Sequence, residues 1–456
     1  MDTNYDVIIV GAGPAGIFAA MELSNQGNLK ILLLEKGRKV ENRKCPIGEE
    51  AESCINCKPC SIMSGWGGAG AFSDGKLTLT TEFGGWLDQY IGKEQLQKLI
   101  DYVDGVYVEN GAPDRVFGQD NEIVKDLQLQ AARAGVKLVP AQIRHMGTEN
   151  TLMVLSNMYN KVAENVTVIT QCIVKEILVE NNAVKGIVTN KDTFYAPRVI
   201  LAPGRDGAQW FSEQAGNLGI ELKNNQVDIG VRVELPAVAM QEFTDNVWEP
   251  KIIYNTKKFD DLVRTFCVNP NGHVVMENTN GIITVNGHSF ANSKSKNTNF
   301  ALLLSQEFTE PFDKPIVYGR CIASLANMLS GSIIVQRYGD LKRGRRSTPA
   351  RIARGLVEPT LKGAVPGDLS LVLPHRYMVG IKECLEALDK AMPGIASDHT
   401  LLYGIEAKFY SARPKLNENL KTDIDGLWAI GDGAGVTRGL IQASVSGVIA
   451  ARNILM

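Results

Sequence analysis

Two groups of residues in this chain of 456 have types and spacings that could do chemistry. The first is a set of thiols, Cys45, Cys54, Cys57 and Cys60, in the order C-x8-C-x2-C-x2-C. Four thiolates so close in the chain can close around one metal at little cost in loop entropy. C-x2-C-x2-C is the core spacing of [4Fe-4S] ligation, with Cys45 as fourth ligand. Structural Zn also accepts four thiolates, usually as two separated pairs. A C-x-x-C pair can instead cycle as a redox disulfide, and reduced cysteines in a loop are the plain reading. The second group is glycine. Gly11-Ala12-Gly13-Pro14-Ala15-Gly16 is a G-x-G-x-x-G turn, and Gly65, Gly67, Gly68, Gly70 and Gly75 crowd a later loop. Glycines at such density let backbone approach something flat or anionic.

The elements around the first turn decide what it holds. Asp6–Val10 reads as a buried strand, a helix is predicted from about Ala15 to Asn25, and Ile31–Leu34 is a second strand ending at Glu35. Strand, glycine turn, helix, strand and acid in this order form a dinucleotide-binding unit. Gly11 permits the tight turn, Gly13 lets backbone reach a pyrophosphate, and Gly16 lets the helix pack on the strand. The helix N-terminus offers unpaired N–H groups and a positive dipole end to the phosphates. Glu35 can accept hydrogen bonds from ribose hydroxyls. Near the other end, Gly426–Ile430 reads as a strand running into Gly431-Asp432-Gly433-Ala434-Gly435, with a closing helix predicted over Thr437–Asn453.

The net charge of -2 gives no global field towards nucleic acid or anionic lipid. The first residues lack a basic leader and Val7–Leu23 is broken by glycines and a proline, so a soluble cytoplasmic protein without a membrane span is expected. The eight cysteines do not argue for secretion, because four are packed into one stretch and the rest are scattered. Helices are predicted over Lys93–Glu109, Asp120–Ala134 and Glu149–Glu164, and strands over Val166–Ile169, Ile173–Leu178, Ala183–Thr189 and Val199–Leu201. The character changes between about Glu213 and Tyr403, where Val227–Glu234 and Gly281–Val285 read as strands of an inserted sheet. The expected fold class is therefore α/β. A Rossmann-like, three-layer domain spans 1–212 and 404–456, and an inserted α+β substrate domain spans 213–403.

The run Gly431–Gly435 resembles the C-terminal flavin motif of glutathione-reductase-like FAD flavoproteins. The chain as a whole resembles the uncharacterised FAD-dependent dehydrogenases, two-domain flavoproteins of bacteria and archaea. Gly65–Leu77 is the most specific stretch, extended by Gly147-Thr148, Val227–Glu234 and Arg264-Thr265-Phe266-Cys267. The resemblance implies FAD and redox chemistry and names no substrate. It implies that Asp432 bonds the ribityl chain and that Gly431, Gly435 and Gln442 line the entry to the closing helix. It places Lys36 beside Glu35, Gly67, Gly68 and Ala69 along the pyrophosphate, and Ile173 and Val174 at the adenine. Ala202, Pro203 and Gly204 stand where the class carries Ala-Thr-Gly, a departure that removes a hydroxyl.

Several side chains could serve the reaction. Ser73, Asp74 and Lys76 sit where the glycine loop would face the flavin, and Lys76 could stabilise negative charge on a reduced flavin. Glu406 and Arg413, with Ser411, precede the last strand. Arg232, Arg264 and Arg337 could take a carboxylate or phosphate, and His273, His288 and His375 could donate protons, although ion pairs and structural histidines are the commoner uses. Only one complete glycine fingerprint occurs. Electrons would therefore come from transient NAD(P)H, directly from a small-molecule substrate, or through the cysteines, with a redox partner protein also compatible. The expected activity is an FAD-dependent dehydrogenase or reductase, with C=C reduction as one form. The alternatives are a flavin monooxygenase, a tRNA-modifying flavoprotein using Lys342–Arg346, and an electron carrier without its own substrate.

Overall fold

The computed structural model describes residues 2–25, 28–45, 57–73, 75–119, 121–139, 141–279, 281–289, 294–308, 311–312 and 314–456. Two compact units divide the chain. The first comprises 1–115, 144–225 and 411–456, and the second 116–143 and 226–410.

The first unit is built on five parallel strands in the order Leu427–Ala429, Val199–Leu201, Val7–Val10, Ile31–Leu34 and Val166–Ile169. Such a sheet needs both faces covered. Val7, Ile9, Ile31 and Leu33 face a helical layer made by Pro14–Ser24, Lys93–Glu109, Thr148–Asn165 and Leu440–Leu455. Ile8, Val10, Leu32 and Leu34 face a second core shared with the antiparallel strands Val174–Glu180, Ala183–Thr189 and Thr193–Tyr195. Helices, parallel sheet and antiparallel sheet are the three layers expected. Pro14 occupies the first helical turn, where its missing N–H costs nothing.

The second unit carries an eight-stranded sheet. Its central strands are Leu401–Phe409, Val227–Pro236, Asn297–Gln306, Leu262–Asn269 and Lys251–Asn255, with Lys137–Val139 at one edge. Val227, Ile229, Val231 and Val233 point into an apolar core with Ile381, Leu385 and Leu388 of the His375–Ala391 helix. The alternate positions of the same strand, Asp228, Arg232 and Glu234, are also fully buried. That strand is thus apolar on one face and charged on the other, both removed from water.

The division differs from the expected boundaries in three places. Residues 116–143 join the second unit, because Leu127, Ala131 and Leu138 enter its core and Lys137–Val139 pairs with Lys251–Ile253. The helix Ala208–Asn217 stays with the first unit through Phe211, which moves the boundary from 212 to 225. Strand Leu401–Phe409 pairs along its length within the second unit, which moves the return from 404 to 411. The closing helix begins three residues later than expected, at Leu440. Among the described residues no helix is long and apolar enough to cross a membrane.

The first and closing helices approach so closely that a Cβ on Gly447 would lie 2.1 Å from the Ala15 carbonyl oxygen. Gly447→Val should therefore destabilise the first unit by about 3 kcal/mol, the upper range for overpacking, read as a lowered midpoint in urea unfolding.

Candidate functional site

The glycines of the first turn have separable roles. Gly11 has φ +105°, and a Cβ there would lie 2.1 Å from the Ala202 oxygen. A Cβ on Gly16 would lie 1.9 Å from the Gly11 oxygen. Both are demanded by packing within the protein. Gly13 is not: the nearest heavy atom to its Cβ position is the Gly68 Cα, 4.0 Å away. The space before Gly13 is a cradle walled by backbone, and the Pro14–Ser24 helix opens onto it with the unpaired N–H groups of its first turn. These features fit a pyrophosphate.

Glu35 ties this turn to the second glycine loop. Its Oε2 accepts from the Ala12 N–H at 2.9 Å, and its Oε1 from the N–H groups of Gly37 at 2.7 Å and Gly65 at 2.9 Å. Oε2, with one such bond, keeps acceptor capacity for a ribose hydroxyl. Lys36 pairs with Asp206 at 2.6 Å, and the Ser64 hydroxyl donates to the same carboxylate at 2.6 Å. Burial opposes ionisation of Asp206, but these two bonds hold its carboxyl below the ordinary value. The turn of Ala202, Pro203 and Gly204 thus leads into a residue that anchors the Lys36 side chain.

The second glycine loop is rigid for a reason the sequence did not display. Arg43 is buried and donates from Nε to Ser61 O at 2.9 Å, from Nη1 to Trp66 O at 2.7 Å and from Nη2 to Ile62 O at 2.7 Å. Burial pushes its pKa down to about 10, so it remains a cation at neutral pH. Trp66 is fully buried, donates its indole N–H to Leu155 O at 2.9 Å and meets Tyr159 edge-on at 4.9 Å. Gly67 then turns with φ +86°, and Gly68, Ala69 and Gly70 form one 3-10 turn ending at Phe72. A Cβ on Gly68 would lie 3.1 Å from the Gly13 Cα, and one on Gly70 would lie 2.5 Å from Leu440 Cδ2. The loop therefore reaches both the first helix and the start of the closing helix.

Asp432 holds that start in place. Its Oδ1 accepts from the Thr437 hydroxyl at 2.7 Å and from the Gly439 N–H at 3.2 Å. Both bonds fall on one oxygen, and burial pushes the carboxyl up. Gly431 donates its N–H to the Ser446 hydroxyl at 3.1 Å. The Gly435 carbonyl accepts from Asn225 at 3.1 Å. Gln442 donates to Phe83 O at 3.2 Å, while its Oε1 is a buried acceptor with no partner. An orphan acceptor beside a helix N-terminus fits a ligand that brings its own donor. Two guanidinium groups lie near Trp86, Arg438 at 3.9 Å and Arg413 at 5.4 Å from its ring centroid.

The remaining residues picked from the sequence divide clearly. Lys76 stands half-buried on the strand Lys76–Thr78. The Ser73 hydroxyl is used inside its loop, donating to Gly70 O at 2.8 Å and accepting from the Gly75 N–H at 3.2 Å. Arg413 bonds Gln89 at 3.0 Å and borders a cavity of about 450 Å³ shared with Tyr90, Lys223 and Lys415. Ile173 exchanges both backbone groups with Asn190, and Val174 begins the antiparallel sheet opposite Thr189. Glu406 belongs to the second unit, fully buried, with Arg232 on both oxygens at 2.7 Å and Lys408 at 3.0 Å. Burial opposes its ionisation, yet Arg232 and then Lys408 hold the carboxyl below the ordinary value. Its lone pairs are committed to this pairing. Asp74 and Cys54 lie outside the described residues. Cys45, Cys57 and Cys60 carry no disulfide, and among the described residues no group of His, Cys, Asp or Glu is arranged around a metal. In the basic run, Lys342 and Arg343 pair with Asp398 and Arg345 with Asp340, so two carboxylates offset half of its four positive charges.

Residues 5–108 match the model of the pyridine nucleotide-disulphide oxidoreductases. Residues 226–409 match that of the FAD-dependent protein C-terminal domain-like family, nearly the whole of the second unit's longer segment. The chain is an FAD-dependent oxidoreductase. This FAD-dependent oxidoreductase is 27% identical to an uncharacterised protein of Clostridium beijerinckii, across 98% of this chain and 80% of the relative. Among solved structures it aligns with L-proline dehydrogenase from P. horikoshii at 12% identity and TM-score 0.42, over 100% of this chain and 94% of that one. It aligns with glycine oxidase from Geobacillus kaustophilus at 12% identity and TM-score 0.41, over 100% and 95%.

Two substitutions test these roles. Arg43→Met removes three charge-assisted bonds and strands the carbonyls of the loop, so it should cost about 3 kcal/mol and release flavin. Stability and flavin content of the purified variant check both. Glu406→Gln leaves Arg232 buried beside a neutral amide and should cost about 3–5 kcal/mol. Because the folded carboxyl is depressed, that stabilisation is present at neutral pH and fades as pH falls through the folded value. The gap between wild type and Glu406→Gln in urea should narrow on acidification.

Proposed function

We propose that this chain is a dehydrogenase or reductase that moves a hydride or electrons between FAD and a small molecule. Four observations support FAD at the site: the backbone cradle before Gly13, the spare acceptor capacity of Glu35, the Asp432 turn and the orphan Gln442 acceptor. The cradle carries the most weight, because no protein contact requires a glycine at position 13.

When bound, FAD supplies the hydride and electron chemistry. The chain's own residues bind and orient it. The first helix and the Gly68 turn would take the pyrophosphate, Glu35 a ribose, and the second oxygen of Asp432 a ribityl hydroxyl. The start of the closing helix would offer N–H groups and a positive dipole end to developing negative charge. Lys76 would add a cation to the same end. Arg43 and Trp66 keep the loop from yielding, so these donors need not reorganise during reaction.

NAD(P)H is proposed as a transient donor, since the chain carries one complete dinucleotide fingerprint. The cysteine set is proposed as a [4Fe-4S] site with Cys45, Cys54, Cys57 and Cys60 as ligands. Zn and redox thiols are the competing uses of the same spacing.

One preparation tests these assignments. Protein purified without air should show a twin-banded flavin spectrum that bleaches with dithionite and more slowly with NADPH or NADH. Iron near four per chain with a broad bleaching shoulder would establish the cluster, as expected for a four-thiolate cubane. Zinc or no metal would reassign the cysteines and leave a simple flavin oxidoreductase. A protein that takes up no flavin on reconstitution would contradict the proposal.

A further inference from the structure

The cavity of about 450 Å³ in the first unit has charged walls that make no ion pairs. Lys223, Arg413 and Lys415 line it together with Glu221 and Glu418. Among the described residues, no carboxylate lies within ion-pair distance of any of these cations. A two-stranded ribbon sets their positions. Leu222-Lys223 runs antiparallel to Arg413-Pro414, with Lys223 directly opposite Arg413. The Lys415 N–H donates to Glu221 O at 3.0 Å and continues the pairing. Alternation along the strand puts Lys415 on the same face as Arg413. Like charges directly opposite each other destabilise a ribbon, and no carboxylate contact within the chain offsets this pair.

Arg413 is half-buried and is positioned by neutral groups. Its Nη1 donates to Gln89 Oε1 at 3.0 Å, and its guanidinium lies beside the Tyr90 hydroxyl and 5.4 Å from the Trp86 centroid. Burial pushes the Tyr90 phenol above its ordinary value against the pull of Arg413, so a neutral hydroxyl stands at the wall. Trp86 in turn donates its backbone N–H to Val436 O at 3.0 Å, on the segment that leads into the closing helix. The cavity shares no residue with the cradle before Gly13. It is therefore a second place for a ligand in the same unit, and its volume is that of a small-molecule site.

We propose that this cavity binds a phosphomonoester carried on a sugar, held by Arg413, Lys223 and Lys415. With both glutamates counted the excess of positive charge is small, so the number and placement of donors select the ligand. A phosphomonoester offers three terminal oxygens, one for each cationic group, and two of them match the guanidinium fork. A carboxylate would leave one cation unmet. Glu221 and Glu418 are acceptors only, and a sugar brings the hydroxyl donors they need beside the phosphate. Two sources carry this chemistry: the 2′-phosphorylated ribose of NADPH and a free sugar phosphate. The first would locate the electron donor proposed above and rests on that reading. The binding itself does not.

The test is calorimetric titration of the flavin-loaded protein with NADP⁺ against NAD⁺, ribose 5-phosphate against ribose, and inorganic phosphate. The phosphorylated member of a pair should bind at one per chain and its partner should not. Tighter binding of NADP⁺ than of ribose 5-phosphate assigns the site to the dinucleotide, and the reverse order assigns it to a sugar phosphate. Arg413→Gln should weaken binding by about tenfold, a loss of about 1.4 kcal/mol. Lys223→Gln, at an exposed position, should weaken it by about fivefold, with thermal midpoints confirming both variants folded. Equal binding within both pairs, no binding, inorganic phosphate binding as tightly as the sugar phosphates, or unaltered binding by both variants would each overturn the inference. Flavin reduction by NADPH and by NADH, measured on the same samples, separates the two proposals. Equal reduction by both without phosphomonoester binding defeats this one alone. Binding of NADP⁺ with no reduction by either donor defeats the donor assignment and leaves the site.

Discussion

The first unit depends on bare backbone meeting bare backbone, with Glu35 as the tie. Gly11 accommodates the carbonyl of Ala202, Gly37 lies against the Ser64–Gly65 peptide, Gly68 faces Gly13, and Gly433 abuts Gly204. The approaches at Gly11, Gly37 and Gly433 leave no room for a side chain, so these turns are packed backbone on backbone. Glu35 holds the N–H groups of Ala12, Gly37 and Gly65 on one carboxylate, spanning both glycine turns. Arg43 does the complementary work on carbonyl groups, collecting those of Ser61, Ile62 and Trp66. One anion gathers donors and one cation gathers acceptors. Together they brace the chain that walls the cradle, and groups fixed in this way favour tight binding.

The second unit handles charge differently. Its sheet buries Arg232 with Glu406 and Glu234 with Tyr403 at the centre, where leaving any partner alone would be costly. Towards Phe266 the same face becomes accessible and cationic. A sheet meant only to pack would place apolar residues at these alternate positions, as it does on its other face. The charged face instead holds its groups in fixed, directional pairs.

Local features of this design were legible in the sequence. The strands flanking the first turn are short apolar runs, and the turn itself is written in consecutive glycines, so Val7–Val10, Pro14–Ser24 and Ile31–Leu34 fall close to their expected places. Features set by distant partners were not legible. Lys137–Val139 reads as a short strand, but that it belongs to the second unit's sheet follows only from the partner that Lys251–Asn255 offers it. Glu406 looked like a candidate acid because of its position before the last strand, yet Arg232, 174 positions away, occupies both its oxygens. Arg43 gave no signal at all, since its role is to bind carbonyls of a loop whose conformation the sequence does not print. The one available hint was the crowding of Trp66 and Phe72 among glycines, which marks a loop with a reason to be rigid.

The central claim is that the cradle before Gly13 holds FAD, and the most direct measurement is the identity and amount of chromophore released by heat from the purified protein. We expect one FAD per chain, released intact. We also expect none from a folded Gly13→Val variant, because the added side chain fills the open space at Gly13 without touching the packing that Gly11 and Gly16 serve. A folded wild-type chain that yields no FAD after reconstitution, or a Gly13→Val variant that retains it fully, would contradict the claim.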